Sequence, residues 1–194
     1  MLHRRMLLVW LCLLLAGGLA GCASQDELRP YNPMGMSGRV KPEAEKYFAL
    51  AHVLWKNGET CTDPEKAVVY LDRAIAIEPE YAQAYLRRGL AYSDMSLWDE
   101  AFDDLTKSLR LAPGYDAYTY RGLVSMRMGN FIGARKDLDR AIALQSGLPR
   151  AWNFRAAVKL QEDDVTGACQ DFTKGCSNGD CTGIESARRD GVCQ

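Results

Sequence analysis

Histidine is almost missing from the 194-residue chain: only His3 and His52 occur. Chemistry that needs a histidine pair, catalytic zinc above all, therefore has nothing to draw on, and a serine or cysteine triad would depend on His52 alone. No Cys-x-x-Cys-His is present, which excludes covalent c-type haem, and no Cys-x-x-Cys suggests a zinc or redox centre. An excess of either charge is missing too: 24 basic and 25 acidic side chains leave a formal charge of −1, so a nucleic-acid partner is not expected. Proline is scarce at 7 residues while 47% of the chain is hydrophobic, which argues against a low-complexity or disordered chain. A long apolar run occurs once, Met6 to Leu15, and is short against the roughly 20 residues of a spanning helix. No cofactor, metal or catalytic residue is implied.

What is present begins with that run. Arg4 and Arg5 precede it, Ala16-Gly17-Gly18 follow it, and polar Ser24 to Glu27 come directly after, which is the pattern of a signal peptide over residues 1–21. Leu19-Ala20-Gly21-Cys22 resembles the lipobox of bacterial lipoproteins. The resemblance implies that Cys22 is acylated and becomes the first mature residue, and Cys12 is discarded. Two or three acyl chains hold a protein firmly on a bilayer where one does not. Ala23, rather than aspartate, resembles the default for transfer to the outer membrane in enteric-type sorting, facing the periplasm. Residues 22–43 contain Pro30, Pro33, Gly35, Gly38 and Pro42 and read as a flexible tether with a reach of roughly 25 Å.

The remainder repeats itself with a period near 34: Ala67, Ala101, Ala134 and Ala168 stand 34, 33 and 34 residues apart. Tyr47, Tyr85, Tyr118 and Trp152 form an aromatic column, and Ala51, Gly89, Gly122 and Ala156 a small one. Leu71, Leu105, Leu138 and Phe172 form a large apolar column, and Ile75, Leu109, Ile142 and Cys176 another. Small columns let two helices approach closely while large ones fill the groove between them. These columns resemble the tetratricopeptide repeat (TPR). The fold class expected is all-α, a right-handed superhelix of four stacked TPR helix-turn-helix units plus a short C-terminal capping helix. The units span about 44–81, 82–114, 115–148 and 149–182, and residues 183–194 form the cap and a cysteine-containing tail. Helices are expected near 44–57, 64–77, 82–95, 98–111, 115–128, 131–144, 149–161 and 165–176, with Asp63 and Asn130 as caps. The first unit carries a four-residue insertion holding Cys61.

In this family the first helix of each unit lines a concave groove. The matching residues for a partner-binding groove are Phe48, His52, Trp55, Arg87, Leu90, Tyr120, Arg127, Asn153 and Phe154, with Leu86, Leu123 and Met126 beside them, a mixed apolar and basic surface suited to an extended peptide or helix. The column that carries asparagine in the family's chaperone-tail clamp reads His52, Leu90, Leu123 and Ala157, so that clamp is missing. Asp103-Asp104 and Asp163-Asp164 could suggest acid–base chemistry, but neighbouring helical residues diverge by about 100°, and a solvated or capping role fits them better. The resemblance implies a non-enzymatic scaffold for a protein or peptide of the cell envelope, in pilus, secretin or envelope assembly; the competing class is an enzyme or enzyme subunit with an unrecognised groove site.

Cys169, Cys176, Cys181 and Cys193 end the chain in a pattern that resembles a terminal extension of some exported TPR proteins, for which oxidised staples are expected, with a metal site or free thiols as alternatives. Four cysteines allow three pairings. Cys169 and Cys176 on one helix would lie roughly 10 Å apart, beyond disulfide reach. A cap running antiparallel to that helix brings Cys181 to Cys176 and Cys193 to Cys169. Cys61 is left as a free thiol or as a link between two copies.

Overall fold

The computed structural model describes residues 40–56 and 60–194. The segment read as a signal peptide, Cys22 and the segment read as a tether up to residue 39 lie outside the described residues. Four antiparallel helix pairs follow one another along the chain: α1 (Pro42–His52) with α2 (Pro64–Ile77), α3 (Ala82–Asp94) with α4 (Trp98–Leu111), α5 (Tyr115–Arg127) with α6 (Phe131–Leu144), and α7 (Pro149–Gln161) with α8 (Val165–Ser177). One more helix among the described residues, α9 (Thr182–Arg189), covers α8. Each second helix packs on the first helix of the next unit, and the first helices of the later units also touch, α3 with α5 and α5 with α7. The expected all-α stack of four units with a terminal cap is what forms.

Local signals set the helix starts. Asp63 accepts from the Lys66 amide with Pro64 at the first helical position, Asn130 accepts from the Gly133 amide, and Asp164 from the Gly167 amide. The repeat columns then become the core. Ala67, Ala101, Ala134 and Ala168 are fully buried, as are Leu71, Leu105 and Leu138. The small column shows why it is small: a Cβ built on Gly122 would lie 2.8 Å from Leu138 Cγ, and one on Gly89 would lie 3.0 Å from Leu105 Cγ. The two helices of a unit are close enough there that only hydrogen fits without displacement.

The first unit departs from expectation at both ends. Its helix begins at Pro42 rather than 44, and Val40 is buried while Lys41 Nζ donates to the Ile77 carbonyl, so the folded part starts inside the segment read as tether. The helix ends at His52 rather than 57. Trp55–Lys56 (β1) instead pairs antiparallel with Thr60–Cys61 (β2). Three contacts outweigh helix propagation: the Thr62 amide donates to the Leu54 carbonyl, the Cys61 amide donates to Asp94 at the end of α3, and the Trp55 ring is buried. Tertiary context decides such short segments.

A second correction concerns Asp104, which is not solvated. It is buried and receives Arg88 Nε and Nη2 at 2.6 and 2.8 Å. Asp137 takes Arg121 in the same bidentate way at 2.8 Å, and Asp171 takes Arg155, also at 2.8 Å. Each arginine reaches further to the preceding second helix, to Asp72, Thr106 and Asp139 respectively. It also lies against a ring of the aromatic column, Tyr85, Tyr118 or Trp152. One fork thus ties three successive helices, and these paired carboxylates hold the guanidinium of Arg88 firmly charged. Asp164 does cap α8.

Candidate binding groove

The first helices α3, α5 and α7 place their exposed faces side by side. Between them lies a cavity of about 290 Å³ with Leu90 and Asp94 from α3, Tyr120 and Leu123 from α5, and Phe154 from α7 on its walls. A second opening of about 540 Å³ lies against Tyr115 and Asp116 of α5 and the start of α7. Arg150 and Asp180 line both. The Arg150 guanidinium covers the Tyr120 ring at 5.4 Å, and its Nη1 donates to the Tyr120 hydroxyl at 2.6 Å. Beneath, the buried Tyr115 hydroxyl accepts from the Ala151 amide at 3.1 Å, fastening α5 to α7.

Of the groove residues read from sequence, Leu90, Tyr120, Leu123, Asn153 and Phe154 come together at this cavity. The others do not. Trp55 leaves the concave face because it sits in β1, only 7% exposed, with the Arg87 guanidinium 5.3 Å over its ring. Burial there lowers the Arg87 pKa. Phe48 packs on Tyr81, with ring centroids 5.0 Å apart, and stacks with the exposed His52; burial, reinforced by Glu45, pushes the Tyr81 hydroxyl up to about 12. Arg127 is exposed at the end of α5, away from both openings.

Asn153 is occupied structurally: its Nδ2 donates to the Asp180 carboxylate at 2.8 Å, and its Oδ1 points where Cβ atoms on Gly175 and Gly183 would stand. It therefore ties the groove to the cap. Asp180 is the residue that sequence reasoning missed at this end. It lies in the loop before α9, and hydrogen bonds from Thr182, then from Asn153, hold its carboxyl below the usual range. Asp94, Asp116 and Arg150 were missed as well. They stand at helix ends, where charges are read by default as caps or solvated groups.

At the terminus, the sulfurs of Cys169 and Cys193 lie at bonding distance with Cα atoms 5.7 Å apart. Those of Cys176 and Cys181 do so with Cα atoms 3.9 Å apart. Ile184, Ala187 and Cys193 of the cap close over Phe172. Cys61 is free and buried, 7% exposed, and desolvation raises its thiol pKa. This removes the basis for a bridge between copies through Cys61, which would require the β1–β2 hairpin to open. In the folded oxidised protein Cys61 should react with a maleimide or an aromatic disulfide probe only slowly and react fully once unfolded; rapid labelling of the native protein would contradict its burial. Among the described residues no group of three His, Cys, Asp or Glu side chains could hold a metal ion, and no helix is long and apolar enough to cross a membrane.

Residues 82–115 match the tetratricopeptide repeat family model. The human tetratricopeptide repeat protein 13 is 28% identical over 108 residues; the match takes in 56% of this chain but only 13% of that protein's length. Among solved structures, YrrB, described as a TPR protein with an unusual peptide-binding site, superposes with a TM-score of 0.58 at 23% identity, over 70% of this chain and 69% of that one. Pseudomonas aeruginosa pilF does so with a TM-score of 0.62 at 20% identity, over 71% and 62% of the two chains. The repeat fold and its stacked arrangement are shared with the two solved structures. Folds of this kind serve chiefly as scaffolds for protein–protein interaction.

Proposed function

We propose that the protein is a non-enzymatic scaffold, acylated at Cys22, exported and held on the periplasmic side of the outer membrane, whose concave groove binds a segment of an envelope protein. The observation that carries the binding role is the cavity between α3, α5 and α7, where Leu90, Leu123, Phe154 and the Tyr120 ring meet around a space a peptide side chain can fill. The likeness to YrrB, a TPR protein with an unusual peptide-binding site, supports a peptide as the form in which the partner is presented. The two cysteine pairs at disulfide distance support an oxidising compartment, in which they staple the cap that carries Asp180.

Export and anchoring are tested by Cys22→Ser, motivated by Leu19-Ala20-Gly21-Cys22 after the apolar run. Loss of two or more acyl chains removes nearly all membrane affinity, so the variant should move from the membrane pellet to the soluble fraction. A variant that is still processed and still sediments with outer membrane would rule out this anchor. Non-reducing peptide mapping of the exported protein should give the 169–193 and 176–181 linked peptides.

A further inference from the structure

The expected surface was apolar and basic, but the charges around the cavities are mainly acidic. Asp94 comes from the last residue of α3, Asp116 from the first turn of α5, and Asp180 from the loop before α9. Among the described residues, three carboxylates thus converge from three elements on two openings whose lining carries one guanidinium, that of Arg150. Arg150 lies over the Tyr120 ring, donates to its hydroxyl and attracts Asp180, while Arg87 lies over Trp55 and attracts Asp116 without lining either opening. Asp94 is exposed, accepting from the Cys61 amide at the hairpin. Asp180 is fixed by Asn153 and Thr182, so its position is set before any ligand arrives. Apolar Leu123 and Phe154 line the same cavity as these two acids. A cavity lined by both apolar and acidic side chains matches a long side chain that is aliphatic along its stem and positive at its tip.

Resting on the reading of this groove as a peptide-binding site, we propose that the cavity takes a lysine or arginine side chain of the partner segment, its stem against Leu123 and Phe154 and its charge between Asp94 and Asp180. The Phe154 ring adds a face for the cation, as Tyr120 already does for Arg150 within the chain. A neighbouring apolar residue of the segment would fill the larger opening beside Tyr115 and Leu148.

The test is selection of a phage-displayed library of random short peptides on the full-length protein purified in detergent, followed by affinity measurements with synthetic versions of the selected peptides. Enrichment of lysine or arginine next to an apolar residue is expected, with affinity falling as salt rises. Asp94→Asn, which keeps the oxygen that accepts from Cys61, should weaken binding about tenfold, as should Asp180→Asn. Because Asp180→Asn could loosen the cap, its melting temperature is measured beside it, and Asp94→Asn carries the decision if the cap is disturbed. Selected peptides that are rich in aspartate and glutamate, or that bind Asp94→Asn as well as the parent, while still losing affinity on Tyr120→Ala or Phe154→Ala, would overturn the basic-side-chain assignment and leave the groove reading standing. Selected peptides indifferent to Tyr120→Ala and Phe154→Ala, or no binders at all, would overturn both.

Discussion

Leu138→Ala should remove about 2–5 kcal/mol of folding free energy, because Leu138 is fully buried and the helices around it are already at closest approach. Its Cγ lies 2.8 Å from where a Cβ on Gly122 would be, so truncation leaves a cavity between two rigid helices that have little freedom to collapse. In a stack where each unit contacts only its neighbours, damage in the third unit also uncouples the units on either side. Urea unfolding followed by helical circular dichroism should show a lower midpoint and a broader transition than the parent. Gly122→Ala alone overpacks the same spot and should cost about 1–3 kcal/mol. The double variant places the added methyl in the space Leu138 vacates, and should be more stable than the sum of the two losses implies. Strict additivity would show that Gly122 and Leu138 do not share one contact.

Arg121→Met is expected to be of comparable severity, at about 2–4 kcal/mol. Asp137 is buried and receives both Nε and Nη2 of Arg121, so removing the guanidinium leaves an uncompensated carboxylate. The range lies below that of a fully enclosed pair because the Arg121 side chain retains 21% exposure. The methionine preserves packing against Phe102 and Tyr118, so the loss reports on charge rather than volume. Protonation neutralises the stranded carboxylate, which makes the folded variant the better proton binder. Its deficit should therefore shrink as pH is lowered towards about 4 and be largest near neutrality. Arg121→Met with Asp137→Leu should regain most of the stability, since replacing both partners leaves no buried charge. A deficit of the same size at both pH values would assign the loss to packing.

These two sites show what could and could not be seen in the sequence. Leu138 and Gly122 belong to apolar and small columns, which a period near 34 exposes directly because burial demands the same size at the same place in each unit. Arg88, Arg121 and Arg155 recur at the same period, as do Asp104, Asp137 and Asp171, yet a charged column is read first as a solvated face. Reading both columns together, one on each helix of a unit, would have found the ladder. The hairpin at Trp55 and Cys61 had no such signal, because its stability comes from Asp94 on the next unit. The groove was legible as a row of first-helix residues, so Leu90, Tyr120 and Phe154 were found. Asp94, Asp116 and Asp180 were not, since they meet there only when the helix ends and the cap loop are folded together. The cap itself followed from spacing, because cysteines seven apart on one helix point the same way but lie too far apart to join.

The most direct measurement of the groove's role is site-specific photocrosslinking in the native envelope. A benzophenone side chain is placed at Ser93, which lines the cavity, or at Arg140, an exposed position on α6. A protein partner held in the groove predicts one discrete adduct from position 93, none from position 140, and loss of that adduct when Tyr120→Ala and Phe154→Ala are added to a variant that still folds. An adduct formed from position 140 alone, or one from position 93 that survives both truncations, would contradict binding through the groove.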